Sequence, residues 1–379
     1  MAYAALVRAD VAVVGLGSMG SAVAYRLAVG GLRVVGLDRF SPPHGRGEHA
    51  GGSRIIRTAY MEGPEYVPLV RRAYELWHEL ESATGETLLT NTGGLMLGRP
   101  DTLPVAGALA TARAHGLAHE VLDAAEVRRR FPAFAPDDDE IGVFDETTGL
   151  VWPERAIAAH LRLAAAAGAE LRTGVAVEGW SATDTGVTVT TRDGEVHADA
   201  LVLAPGSWSP GLTRLVVPIR VERRVQHYWR VEGHGIGELP VWIWQAGSRI
   251  AYGLPTVDGE TKGAFHDGAE EVDPDAGAAA ASAAEIDEMR GWLRDRLPGL
   301  AAAPYLGSKP CLYTLTPDGH FVLGWHPEQP RVVVACGFSG HGFKFAPVVG
   351  EIIVDMLTAG GTAYDIGLFE PARVVEAST

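Results

Sequence analysis

An α/β fold in two interleaved parts is what this sequence predicts, on three observations. The apolar run at 11–14 leads through Gly15-Leu-Gly17-Ser18-Met19-Gly20 into a helical pattern, then into a second apolar run ending in Asp38. That is a βαβ unit. Similar apolar runs recur far away, at 200–203 and 332–335, while 220–230 and 241–254 alternate like broad antiparallel strands. The reading is a Rossmann-type dinucleotide-binding domain assembled from residues 1–85, 150–215 and 318–379. An α+β substrate domain with a broad antiparallel sheet, residues 86–149 and 216–317, is inserted between those segments.

Within the first unit each glycine has its own task. Gly15 makes the tight turn, Gly17 lets backbone amides approach a pyrophosphate, and Gly20 lets the helix pack close to the strand. The positive helix end suits the phosphates. Asp38, at the tip of the second strand, is placed to accept hydrogen bonds from adenosine ribose hydroxyls and disfavours a 2′-phosphate. Because strand, helix and acid all accompany the glycines, a bound adenine dinucleotide is preferred over a plain Gly-rich turn. The fingerprint leaves NAD and FAD undistinguished. The polar, glycine-rich loop at 41–57 is foreign to an NAD-binding half. In flavoproteins of the glutathione-reductase-like type, a loop here wraps the pyrophosphate and reaches the isoalloxazine, which favours FAD.

Downstream, helical spacing of Val67, Val70, Tyr74 and Trp77 predicts a helix over 65–82 with a core-facing stripe. A strand over 90–97 follows, then helices over 101–116 and 124–130, a solvated acidic turn at 137–140 and a strand over 141–144. A helix over 152–168 leads to a strand from 169 that can return to the nucleotide sheet, and 175–197 reads as a β-meander. The strand at 200–203 ends in the small-residue turn Ala204-Pro-Gly-Ser-Trp208, which either lies against the cofactor or is an ordinary strand end. Trp242 and Trp244 share one strand face, so they line a pocket or pack on a helix. A linker over 273–284 runs into a helix over 285–297, and the last helix extends through 357.

At 379 residues the chain exceeds one ordinary core. Its net charge of −15 opposes nucleic-acid binding, so a small anionic substrate requires a local basic cluster. No apolar run has the length of a membrane span, and no secretory signal pattern is present. The two cysteines, Cys311 and Cys336, make no disulfide framework. A cytoplasmic protein without metal, membrane or nucleic-acid partner is expected.

Two stretches near the C-terminus carry a family likeness: Lys309-Pro-Cys311-Leu-Tyr313-Thr-Leu-Thr-Pro-Asp318-Gly-His-Phe321 and Gly337-Phe-Ser-Gly340-His-Gly342-Phe-Lys344. With the loop Pro42-Pro-His…Arg54-Ile-Ile-Arg57 and the segment Glu65-Tyr-Val-Pro-Leu, they resemble the sarcosine oxidase and N-methyltryptophan oxidase family of flavoenzymes. The likeness covers nearly the whole chain. It implies FAD-dependent oxidative demethylation of a secondary amino acid such as sarcosine, with O2 and water as co-reactants and the enzyme a monomer. N-methyltryptophan or a cyclic imino acid are alternative substrates, an electron carrier an alternative acceptor, and a flavin-binding protein without turnover a different class of function.

The resemblance also implies roles for single residues. By itself Cys311 reads as a small buried hydrophobe; the family makes it the thioether to the flavin 8α-carbon, which needs a positive environment that Lys309 and nearby arginines can supply. Arg57 and Lys344 match a clamp for the substrate carboxylate, each charged hydrogen bond contributing ~1.5–3 kcal/mol. An isolated arginine would otherwise be a solvated surface charge. Arg54 matches a residue lying against the flavin, on the same face as Arg57 if that segment is helical. Lys262 matches the lysine that activates O2, since a cation at ~4 Å stabilises nascent superoxide by ~4 kcal/mol at an effective dielectric of ~20. His266 and Tyr252 match positions near the substrate, and Tyr313 lies two residues from the attachment site. FAD contacts are expected at Gly15, Gly17, Ser18, Met19 and Gly20, then at Asp38, Arg39, Ser53 and Arg54, and finally at Cys311, Gly340, Gly342 and Lys344. One departure is visible: where close relatives carry a His pair before the arginine run, this chain has His49-Ala50. No mechanism here can use the second histidine as a base.

Overall fold

The structure, a computed structural model, describes residues 7–215, 217–232, 236, 238–268 and 270–373. Residues 1–6 and 374–379, the ends of the expected first domain, and residue 216, where the inserted segment is expected to resume, lie outside the described residues.

Continuous apolar runs make strands that can be covered on both faces, and they gather in one sheet of eight strands. The strand Val7–Val14 lies between Val34–Asp38 and Gly194–Leu203, parallel to both. Glu170–Thr173 extends the sheet beyond Val34–Asp38, so the strand after 169 does return as expected. On the other side the C-terminal part of Gly194–Leu203 pairs in parallel with Gln329–Cys336, while its N-terminal part pairs with the meander strand Gly186–Thr191. Helix Ser18–Val29 packs against helices Pro153–Ala166 and Ala346–Ala359 over this sheet. Chain segments more than 300 residues apart thus share one core.

A nine-stranded sheet lies beside it, built on the long antiparallel pair Arg220–Arg230 and Tyr305–Leu315. Two expected strands are each broken in two. The stretch 90–97 splits at Gly93, with φ +72°, into Leu89–Asn91 and Gly94–Gly98, which enter different sheets. The stretch 241–254 is a hairpin, Val241–Ala246 and Arg249–Gly253, turning at Gly247 with φ +59°. The alternation of side chains survives a turn, whereas the direction of the chain does not. A third sheet joins Arg54–Ile56, Gly149–Val151 and Leu89–Asn91.

Trp242 and Trp244 are fully buried on the face turned to helix Ala283–Arg296, with Trp242 stacked on Trp292 at 6.0 Å and Trp244 Nε1 donating to Glu140 Oε1 at 2.9 Å. They are core, and neither lines the cavity described below. No described helix is long and apolar enough to cross a membrane, and no described group of three His, Cys, Asp or Glu is placed to hold a metal.

Candidate active site

One continuous cavity of about 690 Å³ runs between the two large sheets. At one end is the glycine turn. Gly15 has φ +89°, and a Cβ there would meet Ala204 O at 2.2 Å; a Cβ on Gly20 would meet Gly15 O at 1.7 Å. Both positions demand glycine, one for conformation and close approach and the other for packing. Gly20 itself does not reach the cavity, so its expected place among the cofactor contacts is replaced by support of the loop from behind. Gly15, Gly17, Ser18 and Met19 do line it, and helix Ser18–Val29 begins there without a side-chain cap. Uncapped N–H groups at a helix start, facing a cavity, fit a pyrophosphate.

Asp38 stands at the same end. Its carboxylate accepts from Leu16 N and Phe40 N, each at 2.8 Å, and keeps further lone pairs for a ribose. Arg39 lies beside it, bonded to Asp275 and stacked over Phe40 and Trp208. The turn 204–208 also lines this end, so the cofactor-adjacent alternative for it is the one its position favours.

Midway along the cavity, Arg54 is held by the carbonyls of Ser53, Glu48 and Ala50 at 2.7–2.8 Å and reaches Cys311 Sγ at 3.4 Å. The segment is the strand Arg54–Ile56 and not a helix, so Arg54 and Arg57 reach the cavity by strand geometry and the following bend. The cation beside the sulfur is Arg54. Lys309, expected there, is exposed and lies over the Tyr228 ring at 5.4 Å. Ala50 offers only a methyl where a base is missing, and its carbonyl serves Arg54.

Lys262, from the strand Glu260–Phe265, is buried. Its Nζ donates to Gly51 O at 2.6 Å, Ser53 O at 2.8 Å and Gln226 Oε1 at 3.1 Å. Burial and Arg54 pull its pKa well down, yet three oxygen acceptors match the three donors of an ammonium. The Tyr228 hydroxyl also lies 3.0 Å from Gln226 Oε1 and 3.1 Å from Gly51 O, so the case for the charged form rests on the match of three acceptors to three donors. Tyr252, His266 and Tyr313 line the cavity nearby, with the His266 and Tyr313 rings 5.6 Å apart. Burial holds His266 neutral and raises both tyrosines, so none of the three carries charge near neutral pH.

The far end is a cluster of buried charge. Arg57, 2% exposed, grips Glu62 through one nitrogen at 2.7 and 2.8 Å. Glu62 is the residue that sequence reasoning missed, although an acid five positions after the arginine was there to be read. Burial opposes its charge, but Arg57, His341 and Lys344 hold its pKa at about 2. Lys344 Nζ donates to His341 O at 2.6 Å, and burial together with Arg57 pulls its pKa to about 7. Gly340 and Gly342 line the same end. A Cβ on Gly340 would meet the Tyr313 ring at 2.2 Å. Glu48 is a second unforeseen group: its carboxyl accepts from Thr314 at 3.1 and 3.2 Å and from Ser207 at 3.4 Å, and burial pushes it to about 7. The donor set as a whole fits an elongated dinucleotide with a flavin at the Cys311 end: phosphate-seeking amides first, then a sulfur, then fixed cations.

The comparisons agree with that geometry. The DAO family, described as FAD dependent oxidoreductase, matches residues 10–356. Monomeric sarcosine oxidase from Streptomyces avermitilis is 45% identical over 97% of this chain and 98% of its own length. N-methyl-L-tryptophan oxidase from Salmonella heidelberg is 33% identical over 96% and 98%. Among solved structures, the open form of NikD, an unusual amino acid oxidase essential for nikkomycin biosynthesis, superposes with a TM-score of 0.86 at 28% identity, covering 96% of this chain and 98% of that one. With the fingerprint, the loop and the cavity in agreement, the chain belongs to the DAO family of FAD-dependent oxidoreductases and is a relative of the monomeric sarcosine oxidases and N-methyl-L-tryptophan oxidases.

Proposed function

We propose that this protein oxidatively demethylates a small N-methyl amino acid such as sarcosine, consuming O2 and water and releasing formaldehyde, the primary amino acid and hydrogen peroxide. The observation that carries the reading is the convergence of Arg57, Lys344, Lys262 and Cys311 on one cavity in an otherwise acidic molecule. When bound, FAD supplies the two-electron acceptor for the substrate C–N bond and the donor to O2.

Gly15, Gly17, Ser18, Met19, Asp38 and Arg39 would hold the adenosine and pyrophosphate, with Ser53 and Arg54 along the middle. Cys311 would carry the flavin through sulfur, and Arg54 sits where the sulfur's negative charge develops as its proton leaves. Arg57 and Lys344 bind the substrate carboxylate. Since Arg57 holds Glu62 through a single nitrogen, an incoming carboxylate shares the guanidinium with Glu62. Neutral His266, Tyr252 and Tyr313 shape a weakly polar chamber for an uncharged amine. Lys262 holds a fixed positive charge for O2 reduction. Trp242 and Trp244 pack on the helix Ala283–Arg296 and do not line the cavity, so neither shapes the substrate chamber. The large eight-stranded sheet with its helices would be the FAD domain and the nine-stranded sheet the substrate domain, and a monomer suffices for a site assembled within one chain.

The test is turnover with a panel of N-methyl and cyclic amino acids, scored by peroxide and formaldehyde in equal amounts. Peroxide without formaldehyde would move the substrate to the cyclic imino acids. Failure of every secondary amine to bleach the flavin anaerobically would remove the oxidase reading. Acid precipitation tests the tether: colour stays with the polypeptide in wild type and leaves it in Cys311→Ser.

A further inference from the structure

Behind the clamp lies Tyr60, fully buried and outside the cavity wall. The Arg57 guanidinium carbon is 4.4 Å from its ring centroid and Lys344 Nζ is 5.0 Å from the same centroid. Glu62 offsets part of the repulsion between these two buried cations, and the ring they share adds to that. Its quadrupole attracts each cation, most strongly where water is excluded.

The hydroxyl adds a directional contact. His341 Nε2 lies 3.0 Å from Gly319 O, which only accepts, so Nε2 carries the proton. Burial keeps that ring neutral, with a pKa of about 3. Its Nδ1 is therefore an acceptor, and Tyr60 donates to it at 2.6 Å. The tautomer follows from these partners. With its proton committed, the Tyr60 oxygen offers lone pairs to Lys344 Nζ at 3.4 Å. Tyr66 at 4.7 Å and Phe345 at 5.4 Å fix the ring. The charged or titratable groups around Lys344 are Arg57 and Glu62 on one side, and Tyr60 and His341 on the other.

We infer that Tyr60 is the positioning residue of the carboxylate clamp: its ring holds Arg57 and Lys344 side by side and its hydroxyl supports the Lys344 ammonium. This rests on the clamp reading above. The experiment measures inhibition by acetate and propionate, carboxylates without an amine, between pH 6 and 9. It uses flavin-loaded wild type, Tyr60→Phe, Tyr60→Leu and Lys344→Met, each checked for flavin content and thermal midpoint. Tyr60→Leu is expected to weaken carboxylate binding roughly tenfold to thirtyfold, and to raise KM far more than it lowers kcat. Tyr60→Phe, which keeps the ring, should weaken binding only about threefold while shifting the loss of binding with rising pH to lower pH. Lys344→Met should abolish that pH step.

Wild-type affinity and an unshifted pH step in the Tyr60 variants, with Lys344→Met impaired, would overturn the inference and leave the clamp standing. Should Tyr60→Leu fail to load flavin, the pH step of Tyr60→Phe decides alone. If Lys344→Met binds carboxylates like wild type, the clamp reading falls and the inference with it.

Discussion

At the Gly15–Met19 end of the cavity main-chain groups form the phosphate cradle; at the Arg57–Lys344 end the wall is buried charge. The first end depends on amides at a helix start and on two glycines that tolerate no Cβ. The second depends on side chains from two distant segments, Arg57, Tyr60 and Glu62 on one and His341 and Lys344 on the other, which neutralise and orient one another. A backbone cradle binds what any dinucleotide has in common. A cluster of coupled side chains can be tuned to one substrate, and it is correspondingly easier to disable by a single exchange.

That contrast can be broken most directly at Lys262, which belongs to the side-chain half. Lys262→Met should slow reoxidation of the reduced flavin by O2 about a thousandfold, the equivalent of ~4 kcal/mol, with anaerobic reduction by substrate nearly unchanged. Stopped-flow measurement of the two half-reactions separates them, and equal slowing of both would sink the assignment.

Next in size is Arg57→Leu. Loss of a charged fork should cost roughly 100-fold in kcat/KM and also leave Glu62 buried without its partner, which lowers the thermal midpoint. The double variant Arg57→Leu/Glu62→Leu should recover stability without recovering substrate affinity. The sign with pH is fixed by the Glu62 pKa of about 2, below the ordinary 4.5. The ion pair's contribution is full above about pH 4.5 and fades as pH falls towards 2.

The backbone half predicts a different failure. Gly20→Ala should lower stability by about 3 kcal/mol and deplete bound FAD, because a Cβ would lie 1.7 Å from a main-chain oxygen that cannot retreat. Whatever enzyme retains flavin should show unaltered KM. A changed KM at full flavin content would erase the distinction between the two ends.

A smaller effect sharpens it. Lys344 has a pKa of about 7 in the cavity, lowered from 10.5 by burial and Arg57. Its charged form holds carboxylates, so affinity for acetate should fall as pH rises through about 7 and level off near the value of Lys344→Met. Smallest of all, Trp242→Phe should cost about 1 kcal/mol of stability and leave KM where it was, as expected for a core residue stacked on Trp292.

The phosphate-binding end was legible in the sequence because its signals are local. Strand, turn, helix and acid follow within about thirty residues, and each is dictated by backbone geometry that glycine spacing and hydrophobic period report. Arg54 and Arg57 were visible as residues, but their secondary structure was not, since three residues are too few to establish a period and pairing with Gly149–Val151 decides it. The Trp pair was visible as sharing a face, yet which object that face met depended on a helix forty residues on.

By itself the sequence determined the dinucleotide cradle, the parallel strands that carry it and the likeness to an oxidase family, since these rest on local pattern and on motifs readable in one dimension. Only the tertiary structure decided that Arg54 rather than Lys309 attends Cys311, that Glu62 occupies Arg57, and that Tyr60 meets His341 across 281 residues. Buried charges are settled by which neighbours compensate them, and packing chooses those neighbours from distant parts of the chain without leaving a periodic trace.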